Sequence, residues 1–406
     1  MLGIIIAIIV LLVCACGKLA ESTGAKEYST EAESDNELTA QYLGIKNSLS
    51  LSRDDVLKEG AQVYTFNVNG TERILAVDGS GNYAIQNILV PGHNYTITIK
   101  DNTVISAKNA NGDNAFATSY KPLLSGNPGK RTILNLLKTA FEPMGTTLYI
   151  YGGGWDFQDE GSGNQTRIIG VSDAWVNFFN NNNASYEFHD TCGNGINYYP
   201  ENGWNTYYYN GLDCSAYIGW TLYNTMYSQS MTQEGFVCAS TKMAKTLAKE
   251  YGFGTWEHVA VNNPSEKDFE KVVKTLKPGD IVSMNGHVYM VVGVCTDNSV
   301  VIINSTATLS STGAEAGGVQ INAISVKGTG DTGCEAYNLA CQYTAKYPKW
   351  AERYPVTMKD PATYLAFPEK NAATGILHWN VDENGLNDPE GIRNMNAEQV
   401  LQEIFR

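Results

Sequence analysis

Between residues 280 and 308 the hydrophobic period is two, and this narrows the choice of fold more than any other stretch. "DIVSM", Asn285-Gly286, "HVYMVVGV", a turn at Asp297-Asn298 and "SVVIINST" read as a three-stranded antiparallel meander. Helical periodicity comes before it. "GKRTILNLLKTAF" sets Ile133, Leu136, Leu137, Ala140 and Phe141 on one face and stops at Glu142-Pro143-Met144-Gly145. "SAYIGWTLYNTMY", behind Cys214, has the spacing of a buried helix. Two more helices are expected over 240–251 (Met243, Leu247 and Tyr251 aligned) and about 265–276 (Phe269, Val272, Val273 and Leu276 aligned), the second ended by Lys277-Pro278-Gly279. Helices first and strands second make this unit α+β rather than doubly wound.

The chain of 406 residues is long for one compact domain. A second, smaller unit is expected over residues 41–110, where "VYTFNVNGTERILAV", "YAIQNILV" and "NYTITIKDNTVISAK" read as about five strands, with Asn69-Gly70 and Asp101-Asn102 as turns. His93 stands alone in one of its turns. Residues 16–40 are small, polar and rich in Glu, Ser and Thr, the composition of a flexible tether. The larger unit, 128–406, carries a stretch rich in Asn, Gly, Tyr and Trp over 155–210, read as a surface insertion, and an extension from about residue 311.

The N-terminus, "MLGIIIAIIVLLVCACGK", is an apolar run ending in small residues and a cysteine. Val13-Cys14-Ala15-Cys16 resembles a bacterial lipobox, which implies a signal peptide over 1–15 and lipidation of Cys16; no Lys or Arg precedes the run. A plain N-terminal membrane anchor is the alternative, and both readings place the rest outside the cytoplasm. The net charge of −14 argues against a nucleic-acid partner. Of eight cysteines, Cys14 and Cys16 belong to the signal and the lipid site. Cys192, Cys214, Cys238, Cys295, Cys334 and Cys341 remain, with no CxxC pair and no spacing that suits zinc. Cys334 and Cys341, in "CEAYNLAC", make the most plausible local disulfide.

Chemistry converges on "NGLDCSAYIGW". Cys214 opens a helix, where unpaired backbone N–H groups and the positive dipole end lower a thiol pKa and can hold an oxyanion. Asp213 is expected to fix the turn and Ser215 to tie the first helical turn. A nucleophilic thiol needs a base, and the chain has five histidines. His287 is the best placed, because it follows an Asn-Gly turn and opens a buried strand. Asn304, a polar break in the next apolar strand, is the expected orienter of its ring. A two-residue turn at Asp297-Asn298 would set Asn304 opposite Val291 and Thr308 opposite His287, so a longer loop or a bulge is required and Thr308 is the runner-up. His258 and His378 read as surface or packing residues. His189 and Cys192 lie in the insertion, Cys192 as a loop cysteine.

"TTLYIYGGGW", "GLDCSAYIGW", "LKPGDIVSMNGHVYMVVG" and "VVIINST" occur in the order seen in the NlpC/P60 family of papain-like cysteine peptidases, and the chain resembles that family over about residues 128–310. The resemblance implies a papain-like domain with Cys214 as nucleophile, His287 as base and acid, Asn304 at the third polar position and Tyr149 leaning over the thiol. Tyr151 stands where tryptophan is commoner, and the insertion before Cys214 is absent from compact members. The C-terminal tail resembles extensions on some clostridial members. The implied activity is cleavage of amide bonds in peptidoglycan stem peptides, of the D-glutamyl–diamino acid type, with neither metal nor organic cofactor. A CHAP-type amidase, an acyltransferase and a non-catalytic wall-binding lipoprotein are the alternatives.

Overall fold

The computed structural model describes the backbone of six strands between residues 26 and 109, and residues 122–406 except 157–160, 164–165, 169, 189–209, 227–234, 259–263, 368–371 and 383. Two compact units divide the chain: Met1–Lys121 together with Ser172–Asn177, and Pro122–Val171 with Phe178–Arg406. Within the described residues no helix is long and apolar enough to cross a membrane.

The first unit contains β1 (Lys26–Glu31), β2 (Gln62–Val68), β3 (Thr71–Val77), β4 (Tyr83–Ile85), β5 (Asn94–Lys100) and β6 (Thr103–Asn109). They form two three-stranded sheets, ordered β2-β3-β4 and β1-β5-β6. Val68 pairs with Thr71 and Lys100 with Thr103, on either side of the turns expected at Asn69-Gly70 and Asp101-Asn102. Those turn residues lie outside the described residues, as do His93 and Cys16. β1 falls inside the segment expected to be a tether. Its sequence, KEYSTE, is too polar to form a core, but Tyr28 and Thr30 suit an edge strand and the ladder to β5 satisfies its backbone.

The second unit is α+β. A small hairpin, β7 (Trp155–Asp156) with β8 (Gly161–Ser162), precedes the main sheet. The main sheet comprises β9 (Gly254–Glu257), β10 (Ile281–Met284), β11 (His287–Val294), β12 (Val300–Leu309), β13 (Glu315–Ile324), β14 (Met358–Lys359) and β15 (Gly375–Trp379). Its order is β14-β13-β12-β11-β10-β15-β9, antiparallel except for the β13–β14 pair. The expected meander is therefore the middle of a wider sheet. The extension from residue 311 is part of the fold: it supplies β13 and β14 on one side and inserts β15 between β10 and β9 on the other.

Nine α-helices are described: α1 (Ile133–Phe141), α2 (Asp173–Asn181), α3 (Cys214–Met226), α4 (Met243–Lys249), α5 (Glu266–Val273), α6 (Glu335–Thr344), α7 (Pro348–Arg353), α8 (Pro361–Tyr364) and α9 (Ala397–Ile404). α1 follows its apolar face: Ile133, Leu136, Leu137, Ala140 and Phe141 are all buried. Thr132 caps it by accepting from the Asn135 N–H at 3.2 Å. α5 seats Phe269, Val272 and Val273 on the sheet face carrying Tyr289, Val291, Val300 and Ile302. At about 25 cal/mol per Å² of apolar surface, each such side chain contributes roughly 1.5–3 kcal/mol. The expected surface insertion is partly core, because Phe179, Tyr186 and Phe188 pack with Leu148, Ile150, Trp350 and Tyr354. Tyr186 also donates its hydroxyl to the Tyr149 carbonyl at 3.0 Å.

One covalent expectation is corrected. Cys334 is the N-cap of α6 and Cys341 lies within it, and both are free. Seven residues along an α-helix advance about 10.5 Å. A disulfide requires Cα atoms within about 7 Å.

Candidate active site

α3 begins where three chain segments cross. The segment before β7 lies against β13: the Tyr149 N–H donates to Gly317 O at 2.9 Å and the Val319 N–H to Thr147 O at 3.0 Å. Gly318 permits this approach, since a Cβ there would stand 2.1 Å from Thr147 O. Tyr149 in turn bridges Leu212 in parallel. Gly211 is needed for this contact, because its Cβ would stand 2.3 Å from Leu148 O. The Asp213 N–H reaches Gly153 O at 3.0 Å, and the Ser305 hydroxyl on β12 donates to Leu212 O at 2.7 Å. "YIYGGGW" and "VVIINST" thus fix the two residues ahead of Cys214.

Asp213 is the N-cap of α3. Its carboxylate accepts from the Ala216 N–H at 2.8 Å and from the Ser215 hydroxyl at 2.9 Å. The Trp155 indole N–H donates to Ser215 Oγ at 3.1 Å, which locks the first turn from outside. Asp213 and Ser215 therefore hold the helix start, as expected. Burial pushes the Asp213 carboxyl up to about 6, against the hydrogen bonds that favour its charge.

His287 and Asn304 are in contact, with the Asn304 Nδ2 3.1 Å from His287 Nε2. Two register shifts bring this about. The turn is longer than expected: the Cys295 N–H bonds Ser299 O at 2.8 Å, with Asn298 in the left-handed region at φ 63°. That moves β12 along β11 by one residue. An irregularity between Val291 and Gly293 moves it by another, so Val294 faces Val300 and Gly293 faces Val301, but Val291 faces Ile302 and Met290 faces Ile303. Either shift alone would turn Asn304 to the other face of the sheet. Together they restore the face and set Asn304 diagonal to His287, against Tyr289. Thr308 lies on the stretch of β12 paired with Ala316 and makes no hydrogen bond to His287. The irregularity is held from outside by α9, since a Cβ on Gly293 would lie 2.7 Å from Ala397 Cα.

Asn304 is fully buried and its Oδ1 has no partner. A half-turn of the amide about Cβ–Cγ presents Oδ1 to the ring. The contact then suits the tautomer in which Nε2 carries the proton and Nδ1 is a free base. Burial, with the charge of Lys359, pushes His287 down to about 3, so the ring is neutral near pH 7.

Cys214 is 7% exposed and free. The Val288 and Ser215 backbone N–H groups and the Ser240 hydroxyl face its sulfur. Val288 adjoins His287, so the thiol lies beside the histidine's strand end. The expected lowering of the thiol pKa does not prevail. Burial and the Asp213 charge push it up to about 12, and the helix-start N–H groups offset this only in part. The pair rests as neutral thiol and neutral imidazole. Sequence reasoning did not identify Ser240 or Tyr364 as site residues. Tyr364, at the end of α8, sets its ring at 5.7 Å from His287 and accepts the Tyr289 hydroxyl on its carbonyl at 2.8 Å. No motif marks "PATYL"; only the fold brings it here.

Other expected residues have other surroundings. The Tyr149 ring packs edge-on against Phe188 at 5.3 Å. His258 bonds Thr374 O at 2.7 Å and stacks on Trp256, a packing role. His378 is more than a surface residue: its Nδ1 meets Asp280 at 2.8 Å and its Nε2 meets Glu257 at 2.9 Å. Arg393 completes the buried Asp280 carboxylate's set, with the Lys277 N–H at 2.8 Å. His189 and Cys192 lie outside the described residues. Cys295, Asp297 and Glu335 hold their ligand atoms within 4.8 Å of one another. Both carboxylates already serve the start of α6: Asp297 accepts from the Glu335 N–H and Glu335 from the Thr296 N–H, each at 2.8 Å. This is a turn-to-helix cap that joins β11–β12 to the extension.

No protein-family model, no curated protein and no solved structure matches the chain.

Proposed function

We propose that the chain is a cysteine hydrolase of the NlpC/P60 type, with a papain-like catalytic domain, that cleaves an amide bond in peptidoglycan stem peptides outside the cytoplasm. The observation that carries this reading is the Asn304–His287 contact at 3.1 Å, created by two register shifts on the strand whose next residue, Val288, faces the Cys214 sulfur. A buried asparagine oriented on a histidine beside a thiol at a helix start has a chemical use that packing does not require. The four motifs that resemble the family all border this place. The lipobox-like "VCAC" supports a membrane-anchored, extracytoplasmic location.

In this mechanism His287 Nδ1 takes the Cys214 proton as Sγ attacks the amide carbon. The N–H groups at the start of α3 hold the developing oxyanion. His287 then gives its proton to the leaving amine, and a thioester remains on Cys214. Water, deprotonated by His287, attacks the thioester, which releases a carboxylate product and restores the thiol. Because burial opposes both charged forms, proton transfer accompanies attack and no thiolate waits in the free enzyme. Asn304 holds the ring as it becomes charged.

The test is incubation of the full-length chain, purified in detergent, with muropeptides, followed by mass spectrometry, beside a Cys214→Ala control. Cleavage between stem residues, absent in the control, is expected. Release of lactoyl-linked peptide alone assigns the amidase chemistry instead. Identical product profiles from both proteins would sink the hydrolase reading.

A further inference from the structure

Lys359 is a cation beside the proposed catalytic pair, and the described residues give it no counter-ion. It ends β14 and is carried to the sheet edge by the pairing of that strand with β13, where Lys359 faces Ile324. Its side chain is half-buried, and its ammonium lies 5.9 Å from the Tyr364 ring centroid. Tyr364 touches His287, and its hydroxyl also senses Cys214 and the Thr306 side chain. Among the described residues no carboxylate pairs with Lys359. The adjacent acid, Asp360, is committed elsewhere: it caps α8 through the Ala362 N–H at 3.2 Å and the Thr363 hydroxyl at 3.0 Å. Burial lowers the Lys359 pKa to about 8, and its charge reaches the His287 ring. A half-buried cation of this kind opposes folding unless something favours its charge.

We propose that Lys359, backed by Tyr364, is a specificity-determining residue: it binds a carboxylate on the substrate residue that flanks the scissile amide. This rests on the cysteine-hydrolase reading and sharpens its substrate class to acidic peptides. The described residues supply the ammonium with no anion, and it lies beside Tyr364, whose ring adjoins His287 and whose hydroxyl senses Cys214. Met358 and Lys359 come from the extension, so substrate choice is set by a segment outside the four motif blocks. A substrate carboxamide at that position would leave the ammonium unpaired.

Two measurements test the subsite and the hydrolase reading separately. The first needs no substrate. Alkylation of Cys214 by iodoacetate and by iodoacetamide is followed by peptide mass spectrometry at pH 7, and the ratio of the two rates reports local attraction of anions. Lys359→Met should lower that ratio by about tenfold, equivalent to about 1.4 kcal/mol, and Lys359→Arg should retain it. In the wild type the ratio should also fall as pH rises past about 8, where Lys359 loses its proton. The second compares kcat/KM on stem peptides bearing a carboxylate or a carboxamide beside the scissile bond, with preference for the carboxylate expected in the wild type and lost in Lys359→Met. An unchanged alkylation ratio in Lys359→Met, or equal kcat/KM on both peptides in the wild type, overturns the subsite while leaving hydrolysis intact. Cleavage of neither peptide, with the alkylation effect present, overturns the hydrolase reading and leaves the anion site standing.

Discussion

His287 and His378 belong to one sheet, on strands separated by β10 alone, and their surroundings push them in opposite directions. His287 has a neutral amide for its partner and a lysine in range, and burial takes it down to about 3. At His378 burial also opposes the charged form, but hydrogen bonds to Asp280 and Glu257, and their charges, outweigh it and raise the pKa. The same side chain is held neutral in one place and favoured in its charged form in the other. What differs is the partner: carboxylates fix a charge, whereas an amide fixes an orientation and leaves the charge free to change.

The comparison breaks most readily at the half proposed to be catalytic. His287→Ala should lower kcat/KM on a stem-peptide substrate by about 10⁴-fold, the upper range for a lost general base; a variant keeping a tenth of the activity would remove His287 from the chemistry. At the structural half, Asp280→Ala leaves the Arg393 and His378 side chains without their buried carboxylate and should cost about 3–5 kcal/mol in urea denaturation. A loss below about 1 kcal/mol would mean that the cluster holds nothing together.

Asn304→Asp brings the two halves together, because it gives His287 the kind of partner that His378 has. The imidazolium is then favoured, and the acid limb of the kcat/KM profile should move up by about 1–3 pH units, since only the neutral ring accepts the thiol proton. An unmoved profile would show that the contact does not govern the ring. The smallest effect is expected from Glu257→Gln. That carboxylate is 43% exposed, so its loss should cost about 0.3–1 kcal/mol. The folded pKa of His378 lies above its reference value of 6.5. The stabilisation is therefore complete below pH 6.5 and is lost as pH rises through the folded value, so wild type and variant should differ most in acid and converge in alkali.

Legibility in the sequence followed the range of the interaction. α1 and α3 were readable because their periodicity and boundaries are local, and Asp213-Cys214-Ser215 announced its cap in three letters. β10, β11 and β12 were readable for the same reason. The relation of Asn304 to His287 was readable only as a condition, a longer loop or a bulge; the two single-residue shifts that meet it were not, because neither Asp297-Asn298 nor Val292 declares how many residues it will occupy. β15 was also hidden, because its partners β10 and β9 are distant in the chain and "GILHW" alone does not name them. The Cys334–Cys341 pairing failed for a nearby reason: a short spacing was read without the helix that holds the two apart. Tyr364 and Lys359 carry no motif, and their position comes only from the sheet.

The place of β15 also dictates an order of assembly. β10 is synthesised long before residues 375–379, yet one of its two edges has no neighbour until they arrive. Closing so long a loop is slow, and until it closes the edges of β10 and β9 are open to pairing with other chains. Ala397, which seats the Gly293 irregularity, comes later still. A nascent chain that has emerged through β12 already possesses Cys214, His287 and Asn304, but lacks the helix that braces the register joining the last two. If the proposed site needs that register, a chain cut short before Ala397 should be inert although Cys214, His287 and Asn304 are all present.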